Sequence, residues 1–168
     1  MKASASTLRI SGAMVAILLL ANCAAPPAEV VKEFTPADRP IAEDLARDGD
    51  GWSAACKEPR TYRIFEVQNP DVEWCIVLYR AALKCENLRG RAYIEMWCRI
   101  PGVGEFFSKG LDQPISSTTD WVNCQTPFFL KKDKNPDLIK LNLVVEGRGK
   151  VWIKNVGVFK EPRSWASR

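Results

Sequence analysis

The chain has 168 residues, of which 46% are hydrophobic, with 24 Lys and Arg against 20 Asp and Glu and no histidine. That length holds one domain with a proper core and is too short for two comfortable ones. A formal charge of +4, with basic residues interspersed among acids as in "KKDKNPD", gives little long-range field for nucleic acid. The lack of histidine removes Ser-His and Cys-His nucleophile activation and leaves any metal site to carboxylates and thiolates.

In chain order, Lys2 and Arg9 form a basic region ahead of the apolar run "ISGAMVAILLLA", and small residues follow. This is the order of a secretory signal, and the run is shorter than the roughly 20 apolar residues of a spanning helix. Leu20-Ala21-Asn22-Cys23 resembles the bacterial lipobox, in which the Cys is lipidated and becomes the mature N-terminus; Asn22 departs from the usual Gly, Ala or Ser. Ordinary cleavage near Ala24 or Ala25 is the alternative, and either one exports the protein. Loss of Lys2 and Arg9 lowers the charge from +4 to +2. The following "AAPPAEVVKEFTPADRP" has the composition of a tether that holds a domain clear of a membrane surface. The expected organisation is a signal peptide over 1–23, a tether over 24–47, one domain over 48–160 and a tail over 161–168.

Ala42 to Arg47 is expected to form a short helical turn. Asp48-Gly49-Asp50-Gly51 has calcium-loop acids without the closing acid of an EF-hand and is expected to be a turn. From Trp52 onward, short β-rich runs alternate with turn residues: "WSAACKE", "RTYRIFEV", "VEWCIVLYRAAL", "GRAYIEMWCRI", "WVNCQTPFFL", "DLIKLNLVVEG" and "KVWIKNVGVF", separated by "QNPD", "PGVG", "DKNPD" and "GRG". This spacing predicts an all-β, two-sheet antiparallel β-sandwich. "GVGEFF" reads as a turn into a strand carrying Phe106 and Phe107, Trp121 as core or corner packing, and Asp120 as a turn cap.

Six cysteines in an exported chain invite disulfides; with Cys23 lipidated, Cys56, Cys75, Cys85, Cys98 and Cys124 leave an odd number. If "WCIVLYRAALKC" is one strand, Cys75 and Cys85 stand roughly 33 Å apart at about 3.3 Å per residue and cannot bridge each other. Cys98 and Cys124 fall on apolar faces, either as buried thiols or in bonds. No C-x-x-C spacing supports zinc or thioredoxin-like chemistry.

"LRGRAYIEMWCRIPG", "LDQPISSTTDW" and "LIKLNLVVEGRGKVWIKNVGVF" together resemble the second half of a galactose-binding-like jelly roll of the carbohydrate-binding-module type. The likeness rests on an aromatic-rich strand, a Thr-Thr-Asp-Trp turn and a Gly-x-Gly hairpin before a final strand, and it spans about residues 48 to 160. It implies a jelly-roll sandwich, a fold that serves both sugar-binding modules and structural appendages. Where such domains often carry an acidic pair in the last strand, this chain has Lys154 and Asn155, which removes an acid that often helps to hold a structural calcium; no metal or cofactor is expected.

Within "RGRAYIEMWCRI", period-2 alternation sends Ala92, Ile94, Met96, Cys98 and Ile100 to one face and Tyr93, Glu95, Trp97 and Arg99 to the other. The second row supplies rings for stacking on sugar C–H faces and planar polar groups for hydroxyls. If the last strands share its sheet, Lys140 and Asn142, together with Lys150, Trp152 and Lys154, would extend it into one platform. The structural alternative is a Glu95–Arg99 ion pair covering Trp97. A glycosidase would need two carboxylates about 5 to 9 Å apart, and no spacing among Glu95, Glu105, Asp112 and Asp120 marks such a pair. The expectation is a non-catalytic cell-envelope module with a glycan as ligand at Tyr93, Glu95, Trp97, Arg99, Asn142 and Trp152, tied to a membrane through lipid at Cys23. The alternative is a structural lipoprotein whose partner is another envelope protein.

Overall fold

The computed structural model describes residues 27–163; the signal segment, Cys23 and residues 164–168 lie outside the described residues. Eight strands follow in order: β1 (Glu29–Glu33), β2 (Ala46–Asp48), β3 (Gly51–Cys56), β4 (Arg60–Gln68), β5 (Cys75–Ile100), β6 (Gly104–Lys109), β7 (Ile115–Phe129) and β8 (Leu138–Pro162). There is no α-helix among the described residues, as expected of runs that alternate at period 2. Every pairing is antiparallel.

β5 and β8 are 26 and 25 residues long and pair along almost their whole length, from Cys75↔Pro162 to Arg99↔Leu138. Both bend where they cross. In β5 the register shifts between Glu86 and Arg89, with Asn87 at φ 52° and Gly90 at φ 126°; opposite them stand Gly147 and Gly149 of β8. The bend divides each strand between two layers. In the first, the C-terminal half of β8 lies between the N-terminal half of β5 and the strands β3 and β1, with β2 outside β3 and β7 outside β5. In the second, β4, the N-terminal half of β8, the C-terminal half of β5 and β6 lie side by side.

One apolar core joins the layers. It takes Val77, Tyr79, Leu83 and Cys85 from β5 before the bend and Ile94, Met96 and Cys98 after it, with Leu141, Leu143, Val151 and Ile153 from β8. The inward positions change from odd to even along β5 because the irregular rungs shift the pleat's phase, as a bulge does. Trp52 of β3 and Ile64 of β4 complete the core.

Several expectations need correction. "GRG" is not a hairpin: β8 runs through it, and the glycines serve close approach. A Cβ on Gly90 would overlap the Glu146 carbonyl oxygen, and one on Gly147 the Arg89 carbonyl oxygen. The two runs on either side of "KCENL" are likewise one strand. The tether over 24–47 is mostly domain. β1 pairs with β8 at Glu29↔Lys160, Phe34 stacks on Phe65 at 4.0 Å between centroids, Ile41 N–H donates to the Ile64 carbonyl, and Leu45 is buried. Its prolines had masked a short strand. The expected helical turn from Ala42 to Arg47 is a single turn leading into β2, because Arg47 and Asp48 pair with Trp52 and Gly51 across the Asp-Gly-Asp-Gly hairpin. Asp120 lies within β7, and Trp121 is exposed, with the Lys154 Nζ 4.4 Å above its ring.

Cys75 and Cys85 do lie on one strand, and all five described cysteines are buried and unbonded. Burial pushes the Cys98 thiol up to about 12 and the Cys124 thiol up to about 11, so these are inert core groups rather than nucleophiles.

Gly147 tests the crossing cleanly, since its φ lies outside the left-handed region and only the neighbouring backbone opposes a side chain there. Gly147→Ala is expected to lower stability by about 1–3 kcal/mol, the usual cost of forcing a methyl into packed structure. An unchanged denaturant midpoint would show that the strands do not approach each other as described.

Candidate functional site

The outer face of the second layer is assembled by strand register. Glu66, Lys140, Trp97 and Phe107 form one row across β4, β8, β5 and β6, and Arg63, Asn142, Glu95 and Lys109 form the next. Tyr93 follows, opposite Val144. Tyr93, Glu95, Trp97 and Asn142 are thus brought together as the alternation predicted, with Lys140 beside them.

Glu95 is the centre of this face and is only 6% exposed. Its Oε1 accepts from Trp97 Nε1 at 2.7 Å and from Asn142 Nδ2 at 3.0 Å, while Lys109 Nζ stands 3.5 Å from Oε2. A buried carboxylate is tolerated because three donors surround it, and in return it fixes the indole's orientation. Trp97 is half-buried, with its ring 5.0 Å from that of Phe107 at an interplanar angle of 45°. Phe107 is 54% exposed. The two rings make an aromatic wedge on the surface, with Lys109 Nζ over the Phe107 ring at 5.2 Å from its centroid and Lys140, which is paired with Glu105, beside Trp97 in the sheet. The Asn142 Oδ1 is buried without a hydrogen-bond partner.

Tyr93 closes the row at the bend. It is buried, and its hydroxyl donates to Glu146 Oε1 at 2.9 Å, while Arg91 Nε donates to Oε2 at 2.6 Å. Burial, reinforced by Glu146, pushes the Tyr93 phenol up to about 12; the hydrogen bonds from Arg91 and then Tyr93 hold the Glu146 carboxyl below its ordinary value. Tyr93 therefore supports the face and contributes little open ring.

The Glu95–Arg99 pair does not form. Arg99 Nε and NH2 donate to the two carboxylate oxygens of Asp137 at 2.8 and 3.0 Å. Four residues along a strand is about 13 Å, so Arg99 reaches the loop at the strand's end and Glu95 turns to its own row. Arg99 stays on this face, at its margin.

Trp152 is not part of the site. The bend at Gly147 and Gly149 carries it into the other layer, where it pairs with Ser53 and Lys84. Its Nε1 donates to Asp48 Oδ2 at 2.8 Å, and Lys150 Nζ lies 4.3 Å from its ring centroid. That hydrogen bond leads the causes that lower the Asp48 carboxyl, followed by one from Ser53. Lys150 and Lys154 pair with Asp48 and Asp50 at 3.4 and 2.8 Å, so this indole carries ion-paired lysine rather than an open surface.

Phe107, Lys109, Arg63 and Glu66 are functional candidates that the strand pattern alone did not assign. The signal for two of them was present: the short "PGVG" turn sets Ile100 opposite Gly104 and therefore Trp97 opposite Phe107 and Glu95 opposite Lys109. Arg63 and Glu66 carried no such signal, because their register depends on β8, far along the chain.

Chemically, the face offers stacking and hydrogen bonding. Of the four acids considered for catalysis, Glu95 alone is buried, Glu105 is paired with Lys140, and Asp112 and Asp120 lie apart from them, before and within β7. Among the described residues, no group of three His, Cys, Asp or Glu side chains is placed to hold a metal ion.

No family model matches the chain, and no curated protein matches it. Solved structures do. One is described as "CBM4 structure and function", at 9% identity over 77% of this chain and 78% of the other, with a TM-score of 0.51. Another is the CBM22-1 xylan-binding domain of Xyn10C from Paenibacillus barcinonensis, at 9% identity over 83% of this chain and 99% of the other, with a TM-score of 0.53. At these identities the likeness is one of fold: the chain has the β-sandwich of carbohydrate-binding modules.

Proposed function

We propose that this protein is an exported, lipid-anchored, non-catalytic module that holds a glycan of the cell envelope against the Trp97 face. The observation that carries the reading is the Trp97–Phe107 wedge, exposed at the surface and oriented by a buried carboxylate that hydrogen-bonds the indole N–H. Sugar rings stack on such wedges through their apolar faces, and the lysines and Arg63 around it supply hydroxyl-binding groups. The fold supports the same reading, since it is shared with a domain described as xylan-binding. Glu95 is engaged by three donors, which suits a positioning residue better than a general acid or base. Export and anchoring rest on Cys23 and the residues before it.

Phe107 is the cleaner test of binding, because it is largely exposed and its loss leaves the core intact. Phe107→Ala is expected to weaken glycan binding by about 1–3 kcal/mol, or roughly 5- to 150-fold, with stability changed by no more than about 0.5 kcal/mol. Trp97→Ala should weaken binding at least as much, with some loss of stability. Full retention of glycan-array binding by both variants would remove the site.

Glu95→Ala strands the Trp97 and Asn142 donors and should cost about 1–3 kcal/mol of stability along with binding. Glu95→Gln keeps an acceptor for the indole and should recover most of both; a titration calorimetry series on the three proteins reads the difference. Failure of the glutamine to restore binding would assign Glu95 a direct charge role instead.

The anchor is settled by the intact mass of the mature N-terminus. A diacylated Cys23 is expected, and an unmodified start at Ala24 or Ala25 refutes the anchor while leaving export in place.

A further inference from the structure

We infer that the end of the sandwich where the chain enters the fold is a membrane-docking surface that seats on a phospholipid bilayer; this rests on the lipid anchor proposed above. Three loops and the chain's entry converge there. Leu130 N–H donates to the Cys75 carbonyl at 3.0 Å, Arg163 NH1 to the Leu130 carbonyl at 2.8 Å, Asn69 N–H to the Asp137 carbonyl at 2.9 Å and Asp137 N–H to the Arg99 carbonyl at 3.0 Å. Pairing of Cys75 with Pro162 and of Glu29 with Lys160 brings the first described residues to the same place.

This end carries apolar side chains that no described residue covers. Trp74 is 59% exposed, Val103 49%, Phe129 48% and Phe106 43%. A groove of about 260 Å³ runs between Val103, Phe106, Phe129, Lys131 and Lys134. Trp74 borders a second hollow together with Pro27 and Lys160. Its backbone is left-handed, at φ 39°, which costs an L-residue about 1–2 kcal/mol, yet the indole it presents packs into no core. Exposed apolar groups gathered in one place mark a contact surface, and Trp is the side chain most suited to the membrane–water boundary.

Charge and reach favour lipid as the occupant. "KKDK" puts Lys131 and Lys134 on the groove's lining and the exposed Lys132 on the same loop, with only Asp133 among them, where their ammonium groups would meet anionic headgroups while Phe106 and Phe129 enter the acyl boundary. Asp71 and Glu73 sit on Trp74's own loop, so the groove side is the positive one. Because β1 begins at Glu29, the tether is not the 24-residue segment expected from composition. Cys23 precedes Pro27 by four residues, at most about 14 Å of chain. So short a link keeps this end next to the bilayer, and the Trp97–Phe107 wedge adjoins it, since Phe107 and Phe129 border one hollow.

The full mature chain, reconstituted into vesicles of phosphatidylglycerol and phosphatidylethanolamine, tests the inference by hydrogen exchange and by quenching with brominated lipid. Amides of 71–74, 102–104 and 130–134 should exchange several-fold more slowly than in the vesicle-free chain. Brominated lipid should quench a tryptophan signal that Trp74→Phe abolishes. Lys131→Glu/Lys132→Glu/Lys134→Glu combined with Phe129→Ser, all at exposed or half-exposed positions, should reverse both effects while the chain stays on the vesicle. Unchanged exchange in a vesicle-bound chain overturns the inference, as does equal protection in concentrated protein without lipid, which would mean self-association. If the mature chain proves unlipidated, the anchor reading fails by mass alone. Quenching of Trp74 in that chain would still uphold the docking surface, and its absence would overturn it.

Discussion

Two long strands that stay paired across a bend must bend at the same rung, and in this protein that rung is where Glu146 and Gly147 of β8 meet Gly90 and Arg91 of β5. An ordinary β-carbon at Gly90 or Gly147 would collide with the opposing carbonyl. Both layers hang from this crossing. β3, β1 and β7 dock on one side of it, β4 and β6 on the other, and the core is the space that the folded pair encloses. Arg91, Tyr93 and Glu146 add side-chain hydrogen bonds beside the same rung, so the backbone constraint and the polar face begin at one point.

The bend also determines what the outer faces can do. By changing the inward phase of β5 from odd to even positions, it turns Tyr93, Glu95 and Trp97 outward as a row, whereas before the bend Lys84 and Glu86 take the outward places. It divides β8 in the same way, giving Asn142 and Lys140 to the Trp97 face and Trp152 to the other. The two indoles then follow different chemistry. Trp97 gives its N–H to a buried carboxylate within its own sheet and keeps a neighbouring ring at the surface. Trp152 gives its N–H to an exposed aspartate and is capped by a lysine. A row of similar composition can be a platform or a lattice of ion pairs, and the two differ here in the carboxylate that holds the indole: Glu95 is buried, whereas Asp48 is exposed and shared with the lysine that caps Trp152.

Much of this was legible in the residues. β-rich runs between turn residues marked out what became β3 to β8, alternation separated core from row in "AYIEMWCRI", and strand length kept Cys75 from Cys85. A four-residue turn would have extended the row to Phe107. What was hidden has physical reasons. "GRG" has the chemistry of a turn, and only the partner strand's backbone shows that its glycines answer a close approach instead. "VVKEF", set among prolines and alanines, reads as linker because its edge strand is five residues long and gains its order from β8, more than a hundred residues later. The destination of Arg99 depended on Asp137, whose position a loop decides and no periodicity reports.

The reassignment of residues 29–47 from tether to domain changes the mechanics of the molecule as well as its boundary. A flexible link of some 24 residues behaves as a coil with a root-mean-square span of about 25–30 Å, and a domain on it samples every orientation. With the lipid proposed at Cys23, a link of four residues would leave the domain's entry point at the anchor, and orientation would become a property of the fold. The strand that fixes this geometry, β1, pairs with the last rungs of β8. The same β8, on the far side of the bend, supplies Lys140 and Asn142 to the Trp97 face. One continuous strand therefore connects the end where the chain enters the fold to the face proposed for glycan, and the angle between them is set by the paired glycines at the crossing rather than by a linker.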